Sequence, residues 1–363
     1  MDTYLHAIAT VVPDTVYLQA EAGERMKRQY SEDRKLERLV HRIYSQSGIE
    51  KRYSVVKDFV LGGAEGPFYD PTNHIIKMPS TKVRNEIYTE EAKKLFVCAA
   101  QKVLRGSAFE AKDITHVITV SCTGFFAPGP DFYVVKALGL SATTHRYHVG
   151  FMGCFAAFPA LKMAQAFCEA DPDAVVLVVS LELCSLHLQR SNDIDTILAA
   201  SVFADGGAAV IVSSREPEGA ALRADTFATA ITPTGEEDMA WTVGDTGFDI
   251  VLSTYVPDIL ESNIASTVEP LLAQSDLCKS DITHWAVHPG GRAILDKVRD
   301  GLSLDEAQLE VPRAVLRDYG NMSSATVMFV LKELLEQANE NEKIYAMAFG
   351  PGLTVESGLF TKV

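Results

Sequence analysis

The 363-residue sequence predicts an α/β fold made of two similar halves, and three observations carry that prediction. Near-continuous apolar runs such as Val175-Val176-Leu177-Val178-Val179 and Ala208-Ala209-Val210-Ile211-Val212 have the composition of strands covered on both faces. Helical patterns alternate with these runs, which places the sheet in an α/β arrangement. Landmarks also recur at nearly one spacing. Asp113-Ile114-Thr115-His116 returns as Asp281-Ile282-Thr283-His284, and 281 less 113 is 168. Val175 to Val179 has its counterpart in Lys343-Ile344-Tyr345-Ala346-Met347, and 343 less 175 is again 168. Gly153-Cys154 matches Gly320-Asn321, where 321 less 154 is 167. A solenoid needs many short repeats. Two long copies instead make two α/β halves, 1–216 and 217–363, packed about a pseudo-twofold axis.

Taken in order, each tetrapeptide opens a strand. Gly153-Cys154 runs into Phe155-Ala156-Ala157-Phe158-Pro159-Ala160-Leu161-Lys162-Met163-Ala164-Gln165-Ala166-Phe167, a small-residue and apolar stretch with the character of a buried helix. Its proline falls early enough for the first turns to tolerate. Cys154 is therefore expected at a helix N-terminus, and Asn321 at the equivalent helix start of the second half, facing the same site. His288 follows the strand-like Trp285-Ala286-Val287 and precedes Pro289-Gly290-Gly291.

Composition narrows the class. Hydrophobic residues make up 47% of the chain, enough for substantial cores, and the length suits two or so domains. No apolar stretch approaches the roughly 18 residues of a membrane span, and the N-terminal residues lack the basic and hydrophobic regions of a signal peptide. A cytoplasmic protein is expected. Six cysteines without a close metal-ligand pair suit a reducing compartment and argue against a disulfide framework or a zinc site. A net charge of −15 argues against nucleic acid as a partner. One region departs from that balance: Arg25, Lys27, Arg28, Arg34, Lys35, Arg38, Arg42, Lys51 and Arg52 outnumber the intervening acids. Such a run reads as a solvated helix face or as a landing site for an anionic cofactor such as coenzyme A.

A thiol, an imidazole and a carboxamide at element edges can activate a sulfur nucleophile and stabilise the oxyanion it creates, so acyl transfer through a thioester is the expected reaction. A helix N-terminus and a neighbouring imidazolium would lower the thiol pKa of Cys154. Cys98, Cys168, Cys184 and Cys278 are expected as small buried hydrophobes.

Four segments carry a family resemblance: Gly153-Cys154-Phe155-Ala156, His288-Pro289-Gly290-Gly291-Arg292-Ala293-Ile294-Leu295-Asp296, Tyr319-Gly320-Asn321-Met322-Ser323-Ser324-Ala325, and Phe349-Gly350-Pro351-Gly352-Leu353-Thr354-Val355-Glu356. With them the chain resembles the type III polyketide synthases of the chalcone synthase superfamily along most of its length. Glu182-Leu183-Cys184-Ser185-Leu186 looks like the bacterial branch.

The resemblance implies a thiolase-type fold with a duplicated αβαβα layered core. It also implies a homodimer that uses free acyl-CoA esters, with no acyl carrier protein, no metal and no permanently bound cofactor. Cys154 would take the starter from an acyl-CoA, with His288 keeping the sulfur as thiolate. His288 and Asn321 would then stabilise the enolate left when malonyl-CoA loses carbon dioxide. Repeated extension and cyclisation would give a pyrone, resorcinol or phloroglucinol-type product.

Further positions follow from the same resemblance. Phe203 matches a gatekeeper between the CoA tunnel and the cavity, and Ile250 stands where plant enzymes have a second gatekeeper aromatic, which is either missing here or displaced to Phe248. CoA contacts fall on Arg42, Arg38 and Ala293, while Leu39 and Gln46 replace basic residues of the family. Cys122, Thr123, His187, Trp241, Ile250 and Ser323 fall on the substrate cavity, and Ala127-Pro128 on a loop that reaches across the dimer interface. Two alternatives stay open. One is a ketoacyl-ACP synthase III-like enzyme performing a single condensation, and the other is a non-catalytic thiolase-fold partner.

Overall fold

The computed structural model describes residues 2–59 and 65–363. The first half contributes strands β1 (Tyr4–Val11), β2 (His116–Ser121), β3 (His145–Gly150), β4 (Val175–Leu183) and β5 (Asp205–Ser213). The second contributes β6 (Leu222–Ile231), a hairpin of β7 (Met239–Gly244) and β8 (Gly247–Leu252), then β9 (His284–Val287), β10 (Lys343–Gly350) and β11 (Thr354–Lys362). Without the hairpin they form one sheet in the order β9-β10-β11-β6-β1-β5-β4-β2-β3. Its two halves join through a short antiparallel contact in which Tyr4 pairs with Arg223 and Leu5 with Leu222.

The duplication is written into the register. β2 and β4 run parallel with His116 opposite Val176, and β9 and β10 run parallel with His284 opposite Ile344. Both pairs are related by 168 residues, as 284 less 116 and 344 less 176 show. In each half the next two pairings, β4–β5–β1 and β10–β11–β6, are antiparallel.

The helices of the first half are α1 (Gln19–Arg28), α2 (Arg34–Ser45), α3 (Thr81–Arg105), α4 (Pro130–Leu138), α5 (Ala157–Ala170) and α6 (Ile194–Val202). Those of the second are α7 (Val256–Gln274), α8 (Arg292–Leu302), α9 (Glu310–Tyr319) and α10 (Thr326–Gln337). Strand alternation decides the layers. Val176 and Val178 of β4 join a central core with α5, α10 and Ile344 and Ala346 of β10, whereas Val175, Leu177 and Val179 face α3. Trp285, Val287, Tyr345 and Met347 face α7 and α8 on the other outer side. Both central helices touch strands of both halves. The result is the expected αβαβα thiolase-type layering, with strands such as β4 and β5 buried at every position. Among the described residues no helix is long and apolar enough to cross a membrane.

Two expectations are corrected at this level. Cys98 and Cys278 are exposed, although Cys168 and Cys184 are buried. Cys98 falls on an outward position of α3. Cys278 lies in a surface turn, where its Sγ is 2.9 Å from the Asp281 carboxylate. Cys154 lies three positions ahead of the first residue of α5, in a turn closed by Ala156 N–H to the Gly153 carbonyl at 3.0 Å.

Candidate active site

Cys154, His288 and Asn321 line one cavity of about 400 Å³. Three loop ends bring them there. His288 continues β9 for one more residue, its N–H donating to the Met347 carbonyl at 2.8 Å. Asn321 is clamped between Val202 and Ala204, donating its N–H to the first and accepting from the second, each at 2.8 Å. Its carboxamide is fixed as well. Nδ2 donates to the Gly290 carbonyl at 3.1 Å and Oδ1 accepts from Ser323 N–H at 2.8 Å. An amide nitrogen carries two protons, so one remains for a ligand.

The glycines beside these residues are required by close approach. At Gly153 (φ +96) a Cβ would lie 2.5 Å from Pro351 and 2.9 Å from the Trp241 ring. At Gly320 (φ +75) it would lie 2.9 Å from Arg52 and 3.0 Å from the Val202 carbonyl. Both positions combine a left-handed backbone with no room for a side chain. Pro351 of the Gly350-Pro351-Gly352 segment thus serves as the surface on which the Cys154 loop rests.

Burial dominates the electrostatics and corrects the expectation of a helix-lowered thiol. It pushes the Cys154 thiol up to about 11, against smaller opposing effects of the Ser323 and Asn321 side chains. It pushes the His288 imidazole down to about 3. Both shifts disfavour the charged form of each group taken alone, so a charge on the sulfur is favoured by an opposite charge on the imidazole. Both ring nitrogens of His288 are buried without a hydrogen-bond partner among the described residues. No carboxylate there orients the ring, which leaves both nitrogens for the sulfur and a substrate oxygen.

The remaining wall is specific. Cys122 is buried, its Sγ accepting from Gly153 N–H at 3.1 Å. Thr123 Oγ1 donates to Glu182 at 2.9 Å. His187 Nε2 is 2.7 Å from the Thr123 carbonyl, so that nitrogen carries the proton, while Nδ1 accepts from Phe248 N–H at 3.2 Å. Its ring stacks on Phe248 with centroids 3.8 Å apart. Burial pushes the His187 imidazole down to about 4. Trp241 lines the cavity and packs on Gly153; Ile250 sits opposite it across the hairpin. Ile250 and Phe248, two residues apart on β8, both reach the cavity. Ser323 also lines it, held at φ 48.

A second cavity of about 300 Å³ adjoins the first under α1 and α2. The two share Cys184, His187, Phe203, Phe248 and Ile250 as lining. Phe203 therefore stands in a partition, its carbonyl held by Arg52 Nη1 at 2.7 Å. Of the expected CoA contacts, Arg42 and Ala293 line the catalytic cavity at its exposed end, and exposed Arg38 lies outside the lining.

Sequence reasoning missed the second cavity and the place of Glu182. That carboxylate is fully buried, accepts from Cys122 N–H at 2.9 Å as well as from Thr123 and Ser324, and is pushed up to about 7 by burial. Its signal was available: an acid inside an otherwise apolar strand has to be hydrogen-bonded.

Comparison with known proteins agrees with this geometry. The domains described as "Chalcone and stilbene synthases, N-terminal domain" and "C-terminal domain" match residues 2–217 and 225–363. The chain is 32% identical to the alpha-pyrone synthesis polyketide synthase-like Pks18 of Mycobacterium tuberculosis, over 98% of this chain and 90% of the relative. It is 30% identical to the 1,3,6,8-tetrahydroxynaphthalene synthase of Streptomyces coelicolor, over 96% and 89%. The crystal structure of PKS-I from the brown alga Ectocarpus siliculosus superposes with a TM-score of 0.92 at 29% identity, covering 100% of this chain and 98% of that one.

Proposed function

The chain belongs to the chalcone and stilbene synthase family and is a type III polyketide synthase of the bacterial type, an acyltransferase of decarboxylative condensation with malonyl-CoA; on that premise we propose how its own residues run the reaction. The observation that supports the reading is the convergence of half-buried Cys154 with buried His288 and Asn321 in one cavity, whose lining also carries exposed Arg42.

Cys154 gives its proton to His288 as its sulfur attacks the thioester carbonyl of an acyl-CoA starter. The carbon–sulfur bond to CoA breaks, and the departing thiolate takes the proton back from His288. Malonyl-CoA then binds with its thioester carbonyl between the His288 ring and the free proton of Asn321 Nδ2. Loss of carbon dioxide leaves an enolate whose oxygen both groups stabilise, the role of a preorganised oxyanion hole. The enolate carbon attacks the acyl carbonyl on Cys154, a carbon–carbon bond forms, and the sulfur leaves. The lengthened chain, now on CoA, reloads onto Cys154 for another round and cyclises to a pyrone, resorcinol or phloroglucinol-type product. Phe203, Phe248, Ile250, His187 and Trp241 bound the space in which this happens.

The same reading takes free CoA esters as substrates without a carrier protein, a cytoplasmic location, and the two halves 1–216 and 217–363. It also takes a second copy of the chain as partner. β3 is the open edge of the sheet, its side chains mostly exposed, with Phe125, Phe151 and Met152 exposed beside it. An uncovered strand edge beside apolar groups is a pairing surface. Incubation with malonyl-CoA and a panel of acyl-CoA starters, followed by mass spectrometry, tests the function. The expected products carry two or more added two-carbon units; a single extension that requires an acyl carrier protein would replace this reading with the ketoacyl-ACP synthase III-like one.

A further inference from the structure

Resting on the reading of the site as one that takes CoA thioesters, we propose that Arg292 is the second cation, beside Arg42, that grips the phosphate groups of the CoA moiety. Arg42, near the end of α2, and Arg292, the first residue of α8, are both exposed and line the same cavity as buried His288 and Asn321. A ligand with a thioester at the buried end and anionic groups at the other meets these two guanidiniums.

The setting of Arg292 leaves its charge available. Its stem lies over Gly48, where a Cβ would sit 3.5 Å from Arg292 Cβ and 3.7 Å from its Cδ, so the glycine forms a flat bed for it. Its nearest acid, Asp296, is 3.5 Å from Nε, but the same carboxylate takes Arg313 Nη2 at 2.6 Å. Arg313 pairs in addition with Glu306 at 2.7 Å, and Asp296 holds Arg292 only through the longer contact. The looser partner is Arg292, whose side chain is 57% exposed. Arg42 takes part in none of the ion pairs among the described residues. The N-terminus of α8 adds to the field, because Gly291 precedes it and no side chain caps it. Planar guanidinium groups bind phosphate through paired hydrogen bonds, and in a chain of net charge −15 two arginines on one cavity give it a local field that attracts an anion. Arg42 and Arg292 are the two arginines that line this cavity, where Gln46 on the α2 side is neutral.

The test is steady-state kinetics of Arg292→Ala with malonyl-CoA, malonyl-dephospho-CoA, which lacks the 3′-phosphate, and malonyl-pantetheine, which lacks the nucleotide. Loss of charge-assisted hydrogen bonds predicts a KM for malonyl-CoA raised roughly ten- to hundredfold, with kcat within about twofold and Arg292→Lys recovering part of the loss. The KM for malonyl-pantetheine should stay as in the parent. A penalty that persists with the dephospho ester assigns Arg292 to the diphosphate; one that vanishes assigns it to the 3′-phosphate. Arg299→Ala, which removes a cation of the same helix away from the cavity, controls for net charge and should leave all three KM values in place. Equal changes for the CoA and pantetheine esters, or no change in either, would overturn the proposal. If the parent enzyme turned over none of the three esters, the CoA reading itself would fail instead.

Discussion

At the residue scale, the three reacting groups divide the work between two steps. Asn321 keeps one amide proton that backbone does not take, on the side chain that also acts on the Cys154 thiol, and its remaining side-chain contacts are with backbone. Asn321→Ala is therefore expected to remove malonyl-CoA decarboxylation, at roughly 3 kcal/mol of barrier, while starter loading persists. His288→Ala should impair both steps, since its ring serves sulfur and oxygen alike. Separate assays of carbon dioxide release and enzyme acylation check this, and loss of loading with intact decarboxylation in Asn321→Ala would refute the division. His187 gives a second residue-level prediction, in stability. Its folded pKa of about 4 lies below the ordinary histidine value of 6.5. As pH falls from 6.5 to 4 the unfolded chain takes up a proton that the folded one refuses, so stability is lost over that window. Denaturant unfolding at several pH values should show a shallower acid decline in His187→Gln than in the parent, by on the order of 3 kcal/mol across the window. Glu182 titrates in both proteins and cancels in the difference. Parallel curves would mean that His187 is not held neutral.

At the element scale, the hairpin β7–β8 carries the cavity wall that is proposed to set product size. Its tip glycines, Gly244 and Gly247, are paired, Trp241 faces Ile250 in register, and Phe248 is tied to His187 by both a hydrogen bond and a ring stack. Trp241 fills space directly against the Gly153-Cys154 turn. Trp241→Gly should shift products toward longer or additionally extended chains across one starter panel, measured by liquid chromatography and mass spectrometry. An unchanged distribution with normal stability would remove Trp241 from the chain's path. Trp241, Phe248 and Ile250 were placed at the cavity by the resemblance alone; the hairpin supplies the reason, since a two-residue period puts Phe248 and Ile250 on one face. Its partition role was not legible, because the second cavity is made by side chains of α1, α2 and α6 that no local pattern links to β8. Helix spacing hid the cation pattern in the same way. Arg38 and Arg42 share a face of α2, but four residues are about 6 Å of rise, enough to leave Arg38 outside the cavity while Arg42 lines it.

At the scale of the whole molecule, the duplication explains the site. Repetition at 168 residues was readable from two short landmarks, and the pairing of His116 with Val176 and His284 with Ile344 shows it as register. It places α5 and α10 in one central layer, with Cys154 and Asn321 on the turns that lead into them. The reacting trio and the layered fold were therefore legible. The direction of the thiol shift was not: proximity to a helix start argues downward, and the burial that overrides it depends on packing from both halves. The open edge at β3 adds a prediction of assembly. Light scattering should give twice the chain mass, and Tyr147→Glu on the exposed edge should favour the single chain; a monomeric parent would contradict the pairing.

In the proposed reaction a growing chain is held as a thioester on Cys154 and lengthened there from CoA esters. Mass spectrometry of peptides from enzyme quenched during turnover tests it most directly. The expected result is the starter acyl mass on the peptide that contains Cys154, followed by heavier adducts at two-carbon intervals when malonyl-CoA is present, with no carrier protein added. Neither adduct nor polyketide is expected in Cys154→Ala that remains folded. Acylation at a different cysteine with normal turnover in Cys154→Ala would contradict the proposed reaction.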